Sequence, residues 1–203
     1  MYFKKLIGKK CYLSPIDTND AAKFTEWLND MAIMVTLQLY ASVINLESER
    51  VFLDSLSKEH NYSIIDLEKE ELIGNCGFRD IDHVNQTAEA GIFIGNKTYW
   101  SKGYGTEALS LLIDYGFKAL NLHNIMLRPF DYNKGAIKCY EKIGFKLIGK
   151  RREALHRNLA KHDIVYMDIV PDEFYEKLNL TKISEPQSKD SGSVNHVLLA
   201  NEQ

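Results

Sequence analysis

The stretch Tyr99-Trp100-Ser101-Lys102-Gly103-Tyr104-Gly105-Thr106-Glu107-Ala108 constrains this chain more than any other part of it. It stands between a run that alternates like a strand, Ala88 to Ile94, and a run with helical periodicity from about Gly103 to Leu120. Two glycines at spacing two let the backbone come close to a ligand and turn successive N–H groups outward. A helix beginning there adds its own unpaired N–H groups and a partial positive charge. The combination suits an anion of pyrophosphate type, and Lys102 adds a formal charge beside it. A plain glycine turn from strand to helix uses the same two residues, so the pair alone does not decide. Two other phosphate loops are excluded: the P-loop order is absent, and the dinucleotide fingerprint needs a third glycine near Ala108.

The rest of the chain alternates the two periodicities. Lys10–Ile16 reads as a short strand, and Asp17 offers a cap to a helix whose Ala21, Phe24, Trp27 and Leu28 share a face. Glu47–Lys58 reads as a second amphipathic helix with Val51, Leu53 and Leu56 among its apolar residues. Tyr62–Leu67 and Leu72–Ile81 read as strands joined by the charged turn Glu68–Glu71, and Ala88–Ile94 follows after another turn. In the long helix, Ala108, Leu112, Tyr115 and Ala119 form one stripe and Leu109, Ile113, Gly116 and Leu120 the next. So wide a stripe predicts a helix lying flat on a sheet. His123–Arg128 is a strand, Asn133–Ile143 a helix stopped by Gly144, and Phe145–Gly149 and Asp163–Val170 are strands. The expected class is α/β (α+β), with a mixed, mostly antiparallel central sheet flanked by helices. One domain is expected over 1–178. Residues 179–203 collect Ser184, Pro186, Ser188, Ser191, Gly192 and Ser193, and read as a flexible or loosely docked tail.

Bulk properties narrow the function classes. A chain of 203 residues with 45% hydrophobic and 26% charged residues can bury a core without disulfides or metals. A net charge of -3 argues against DNA as a partner, and the basic run Lys150-Arg151-Arg152 reads as a solvated strand end that could also meet an acidic acceptor or ribosomal RNA. Cys11, Cys76 and Cys139 are far apart and the histidines scattered, so no metal site or disulfide framework is expected, and a reducing cytoplasm is the simplest setting. The start of the chain turns polar at once, and the longest uncharged run, Met31–Leu46, is too short for a membrane span.

A second loop and helix, Asp131 to Phe145, follows the strand at His123–Arg128. Asn133 can cap this helix, and Asn133, Ile137 and Tyr140 share a face. Asn133 and Tyr140 stand roughly 10 Å apart along the axis, so one extended ligand could touch both. A capping Asn and a packed Tyr would look the same in sequence. Three pieces together, Ala88–Gly95, Tyr99–Ala108 and Asn133–Phe145, resemble in order and spacing the GNAT superfamily of N-acetyltransferases. The resemblance runs over about Lys10–Val170 and is nearest to the ribosomal-protein N-terminal and spermidine N-acetyltransferases. The family's glycine motif usually opens on Gln or Arg. Here Trp100 stands at that place, which is expected to remove a polar side-chain contribution.

The resemblance implies acetyl-CoA as co-substrate, no metal, and a primary amine as acceptor: a polyamine-like small molecule or a protein N-terminus. A pyrophosphate would lie on the N–H groups of Lys102, Gly103, Tyr104, Gly105 and Thr106, with Trp100 alongside. The pantetheine arm would pair with the strand edge at Ile92, Phe93 and Ile94, in a gap between two splayed central strands, with Asn133 contacting the arm. Glu89 is the candidate proton acceptor, since Glu89, Gly91 and Phe93 share one face and Gly91 leaves room for an acetyl group. A water chain is the alternative base. Tyr140 occupies the place of the family's tyrosine acid. Cys139 points about 100° away from Tyr140 and is expected to be core. The acceptor's walls are expected from Asp30–Glu49 and a loop after Arg152, and Glu47 and Glu49 could meet a polyamine. Arg128, His156 and His162-Asp163 are expected to serve structure. Many relatives are dimers, which leaves a homodimer open. A non-catalytic acetyl-CoA sensor is the alternative function.

Overall fold

A computed structural model of the chain describes residues 1–178, so the tail at 179–203 lies outside the described residues. Eight strands form one sheet: β1 (Leu6–Ile7), β2 (Cys11–Pro15), β3 (Asn61–Asp66), β4 (Leu72–Asp82), β5 (Thr87–Ile94), β6 (Asn124–Leu127), β7 (Lys146–Arg157) and β8 (Ala160–Ile169). Their order is β1-β2-β3-β4-β5-β6-β8-β7. Only β5 and β6 run parallel, as expected where a helix makes the crossover. The helices are α1 (Ala21–Leu28), α2 (Met31–Met34), α3 (Leu46–Leu56), α4 (Tyr104–Lys118), α5 (Lys134–Ile143) and α6 (Pro171–Lys177).

Strand alternation divides the core between the two faces of the sheet. Leu13, Ile64 and Ile73 face α4, which buries Leu109, Leu112 and Ile113 against them. Tyr12, Ile65 and Leu72 face the other way and pack with Phe24, Trp27, Ile33 and Leu53 of α1, α2 and α3. The stripe on α4 is shifted from the expected one: Phe117 is buried, Ala119 lies beyond the helix and is exposed, and Tyr115 is half-buried. In α3, Leu53 is buried but Val51 is exposed.

Two further differences bear on function. The segment after Arg152 is strand, not loop: β7 runs on to Arg157 and turns back into β8 through Asn158 and Leu159, both at positive φ. Lys150-Arg151-Arg152 therefore lies within a strand on the sheet's outer edge, where charges discourage pairing with another chain. The short elements β1 and α6 carried too few residues to show a period.

The sheet divides along its middle. β5 pairs with β6 only over Thr87–Glu89 opposite Asn124–Met126. Beyond Glu89, β5 keeps β4 as its neighbour through Ile94. The chain leaving β6 follows β8 instead: the Val165 N–H donates to the Pro129 carbonyl at 2.9 Å, Phe130 bridges to Ile164, and the Asp131 N–H donates to the Asp163 carbonyl at 3.0 Å. A gap opens between the two strands, bounded by α4 and α5.

Candidate active site

Of the residues singled out from the sequence, Glu89, Ile92, Phe93, Ile94, Trp100, Gly103, Gly105, Thr106, Asn133 and Tyr140 border one cavity of about 770 Å³. It contains the gap and extends beneath α2 and α3. Lys102 and Tyr104 do not border it. The Tyr104 hydroxyl is turned away and donates to Asp66 at 2.7 Å, an interaction that, with burial, pushes the phenol up to about 12. Lys102 is exposed, and its carbonyl accepts from the Lys10 ammonium at 2.8 Å.

Gly103 sits at the N-cap of α4 with φ 88, a left-handed conformation that favours glycine. No side chain caps α4, so its first-turn N–H groups at Tyr104, Gly105 and Thr106 face outward without a protein side-chain acceptor. A Cβ added at Gly105 would stand 3.7 Å from Ile94 and 4.0 Å from Ile92, filling the space between helix and strand. An open cradle with uncapped N–H groups is the arrangement a diphosphate needs. The residues present therefore fit coenzyme A. Trp100 departs from expectation. Its indole N–H donates to the Ile94 carbonyl at 2.8 Å, so the side chain has a polar role after all, tying the glycine loop to the end of β5.

Glu89 lies at the point where the strands part, 4% exposed. Arg79, directly across in β4, bonds one carboxylate oxygen, and Arg128 bonds the other at 2.6 Å. Arg128, expected to serve structure, holds Glu89 in place and also borders the cavity. The β4–β5 register places Arg79 opposite Glu89, a cross-strand pair that the hairpin could have revealed. A Cβ at Gly91 would meet nothing within 4 Å, so the space beside Glu89 is open.

Asn133 caps α5, its side-chain oxygen accepting from the Ala136 N–H at 3.1 Å. Tyr140 lines the cavity from the same helix and is 8% exposed; burial pushes its phenol well above the ordinary value. Cys139, expected to be core, is half-buried and borders the cavity, 3.2 Å from the Thr106 hydroxyl. The cavity is broad enough to reach both flanks of α5.

The far end of the cavity is walled by Ile33, Leu37 and Leu39, from the segment expected to face the acceptor, and by Phe52, which lies beyond that segment in α3. This segment is pinned to the β7–β8 hairpin by residues the sequence did not single out. Arg157 stacks over Tyr40 at 4.6 Å, and the Tyr40 hydroxyl donates to Asn158 at 3.0 Å. His162 pairs with Asp131 at 3.4 Å and His156 is exposed; neither borders the cavity.

A family model described as "Acetyltransferase (GNAT) domain" matches residues 10–146. The chain belongs to the GNAT acetyltransferase family. The enzyme is 31% identical over 153 residues to the uncharacterized N-acetyltransferase p20 of Bacillus licheniformis, covering 73% of this chain and 85% of that one. It is 31% identical over 141 residues to the spermidine N(1)-acetyltransferase of Escherichia coli, covering 68% of each. A solved spermidine N-acetyltransferase from Vibrio cholerae, in complex with CoA and spermine, superposes with a TM-score of 0.74 at 22% identity, covering 82% of this chain and 99% of that one. At that identity the superposition shows the fold. This acyltransferase has, among its described residues, no helix long and apolar enough to cross a membrane and no cluster of His, Cys, Asp and Glu suited to a metal.

Proposed function

We propose that this N-acetyltransferase uses acetyl-CoA and acylates a primary amine, polyamine-like or a protein N-terminus, by direct attack in a ternary complex. The observation that carries this reading is the gap that opens immediately after Glu89, with an uncapped helix N-terminus at one end and an apolar cavity at the other. The donor supplies a thioester carbonyl to which nitrogen adds and from which a thiolate departs.

The chain's residues account for the rest. Tyr104, Gly105 and Thr106 hold the diphosphate on their N–H groups. The edge of β5 that parts from β6 after Glu89, with its Ile94 carbonyl already engaged by Trp100, aligns the extended arm of the cofactor at Ile92 and Phe93 as an added strand would, and an N–H near Ile92 stabilises the developing oxyanion. Glu89 accepts the ammonium proton through a water, since its own oxygens are engaged by two guanidinium groups and only Arg79 is substantially exposed. Tyr140, kept protonated by burial, donates to the departing sulfur. Holding donor and amine together in the gap supplies much of the acceleration.

Coenzyme A release from acetyl-CoA, measured across polyamines, amino acids, aminoglycosides and N-terminal peptides, tests the reading. Turnover with a primary amine is expected. Binding of acetyl-CoA without release across the whole panel would favour a sensor, and no binding heat at millimolar ligand would remove the cofactor assignment. The same reading places the enzyme in the cytoplasm, and light scattering on the full chain tests for a homodimer.

A further inference from the structure

The cavity contains a second carboxylate, and its surroundings are the opposite of those around Glu89. Asn45 caps α3 by accepting from the Ser48 N–H, and Ser48 returns the bond to the Asn45 N–H, which fixes where the helix begins. The next residue, Glu49, is thereby turned inward and is 3% exposed. Its Oε1 is buried without a hydrogen-bond partner, and it forms no ion pair among the described residues. It borders the acceptor end of the cavity beside Ile33, Leu37, Phe52 and Leu53. A bare carboxylate in an apolar wall is costly unless something positive arrives. Proximity to the start of α3 favours its charge, but by less than such burial costs. Burial pushes its carboxyl up to about 6, so the group is still largely ionised at neutral pH.

We propose that Glu49 receives a second positive charge on the acceptor, so that the enzyme selects aliphatic diamines, one amine reacting in the gap while the other pairs with Glu49. This rests on the transferase reading above and goes beyond it in naming the selecting residue. The apolar residues around Glu49 suit the methylene spacer of such a molecule, and an acceptor with only one cation leaves the carboxylate unanswered.

The test compares diaminobutane with butylamine on the full chain with acetyl-CoA. Wild type is expected to favour the diamine by roughly ten- to a hundredfold in kcat/KM. Glu49→Gln, which keeps the shape, should erase most of that preference by raising KM for the diamine, with kcat within about twofold and butylamine unaffected. Glu49→Asp should recover part of it. A preference unchanged in Glu49→Gln, or absent from wild type, overturns the proposal. Calorimetry of diaminobutane binding to the protein saturated with CoA, at about pH 8, separates this failure from failure of the transferase reading. A loss of affinity of about tenfold or more in Glu49→Gln supports the proposal even if no amine turns over. Wild type that acetylates peptide N-termini but neither binds nor acetylates the diamine refutes it and leaves the transferase intact.

Discussion

Tyr140 and Glu89 border the same cavity, but their surroundings suit them to different tasks. The phenol of Tyr140 is buried among apolar groups, near Phe145, and is held protonated well beyond neutrality. The carboxylate of Glu89 is held between Arg79 and Arg128. Tyr140→Phe is expected to lower kcat on the order of a hundredfold while changing CoA affinity less than about twofold. Single-turnover rates and titration calorimetry read the two separately, and full retained activity would remove Tyr140 from the proton path. Asn133 and Tyr140 were legible in the sequence because a helix places residues at fixed spacings on one face. The sequence marks Glu49 only as one of two acidic residues that could meet a polyamine, and Arg128 only as structural; the burial of the first and the pairing of the second with Glu89 were not legible. Burial of Glu49 depends on how the segment before α3 folds over it, and the pairing of Arg128 on which strand its backbone follows after β6. Neither is set by local pattern.

At the scale of elements, the glycine loop separates two requirements that sequence alone merges. Gly103 is needed for its backbone conformation, since φ 88 strains any other residue. The protein's own packing does not require Gly105, since a Cβ there meets only ordinary contacts; on the proposed reading the space it leaves belongs to the diphosphate. Gly105→Ala should therefore leave the fold intact, with a melting temperature equal to or above wild type because alanine suits a helix better. It should weaken CoA binding about tenfold, because the methyl group projects into the cradle. Equal affinity by calorimetry would show that the diphosphate lies elsewhere. The β7–β8 hairpin was the element most poorly read. Its charged outer edge hides the alternation, and it turns on Asn-Leu rather than on a glycine-containing pair, so the usual signal of a hairpin is missing.

Across the whole molecule, two half-sheets, β1–β5 on one side and β6, β8 and β7 on the other, are paired at Thr87–Glu89, where the Arg128–Glu89 ion pair and backbone bonds to the Gln86 carbonyl also join them. A ligand that occupies the gap bridges them, and binding to the folded state alone stabilises it. CoA at a hundredfold excess over its dissociation constant should stabilise the chain by about 2.7 kcal/mol. Hydrogen exchange should slow most at Ala90–Ile94 and in the first turn of α4. Protection spread evenly over the chain would contradict this placement. The division also bears on how the catalytic cycle ends. On the proposed placement, departure of the spent carrier is expected to slacken the backbone around its berth, and the regained freedom of motion would favour exit, an entropic gain that a seamless scaffold would lack.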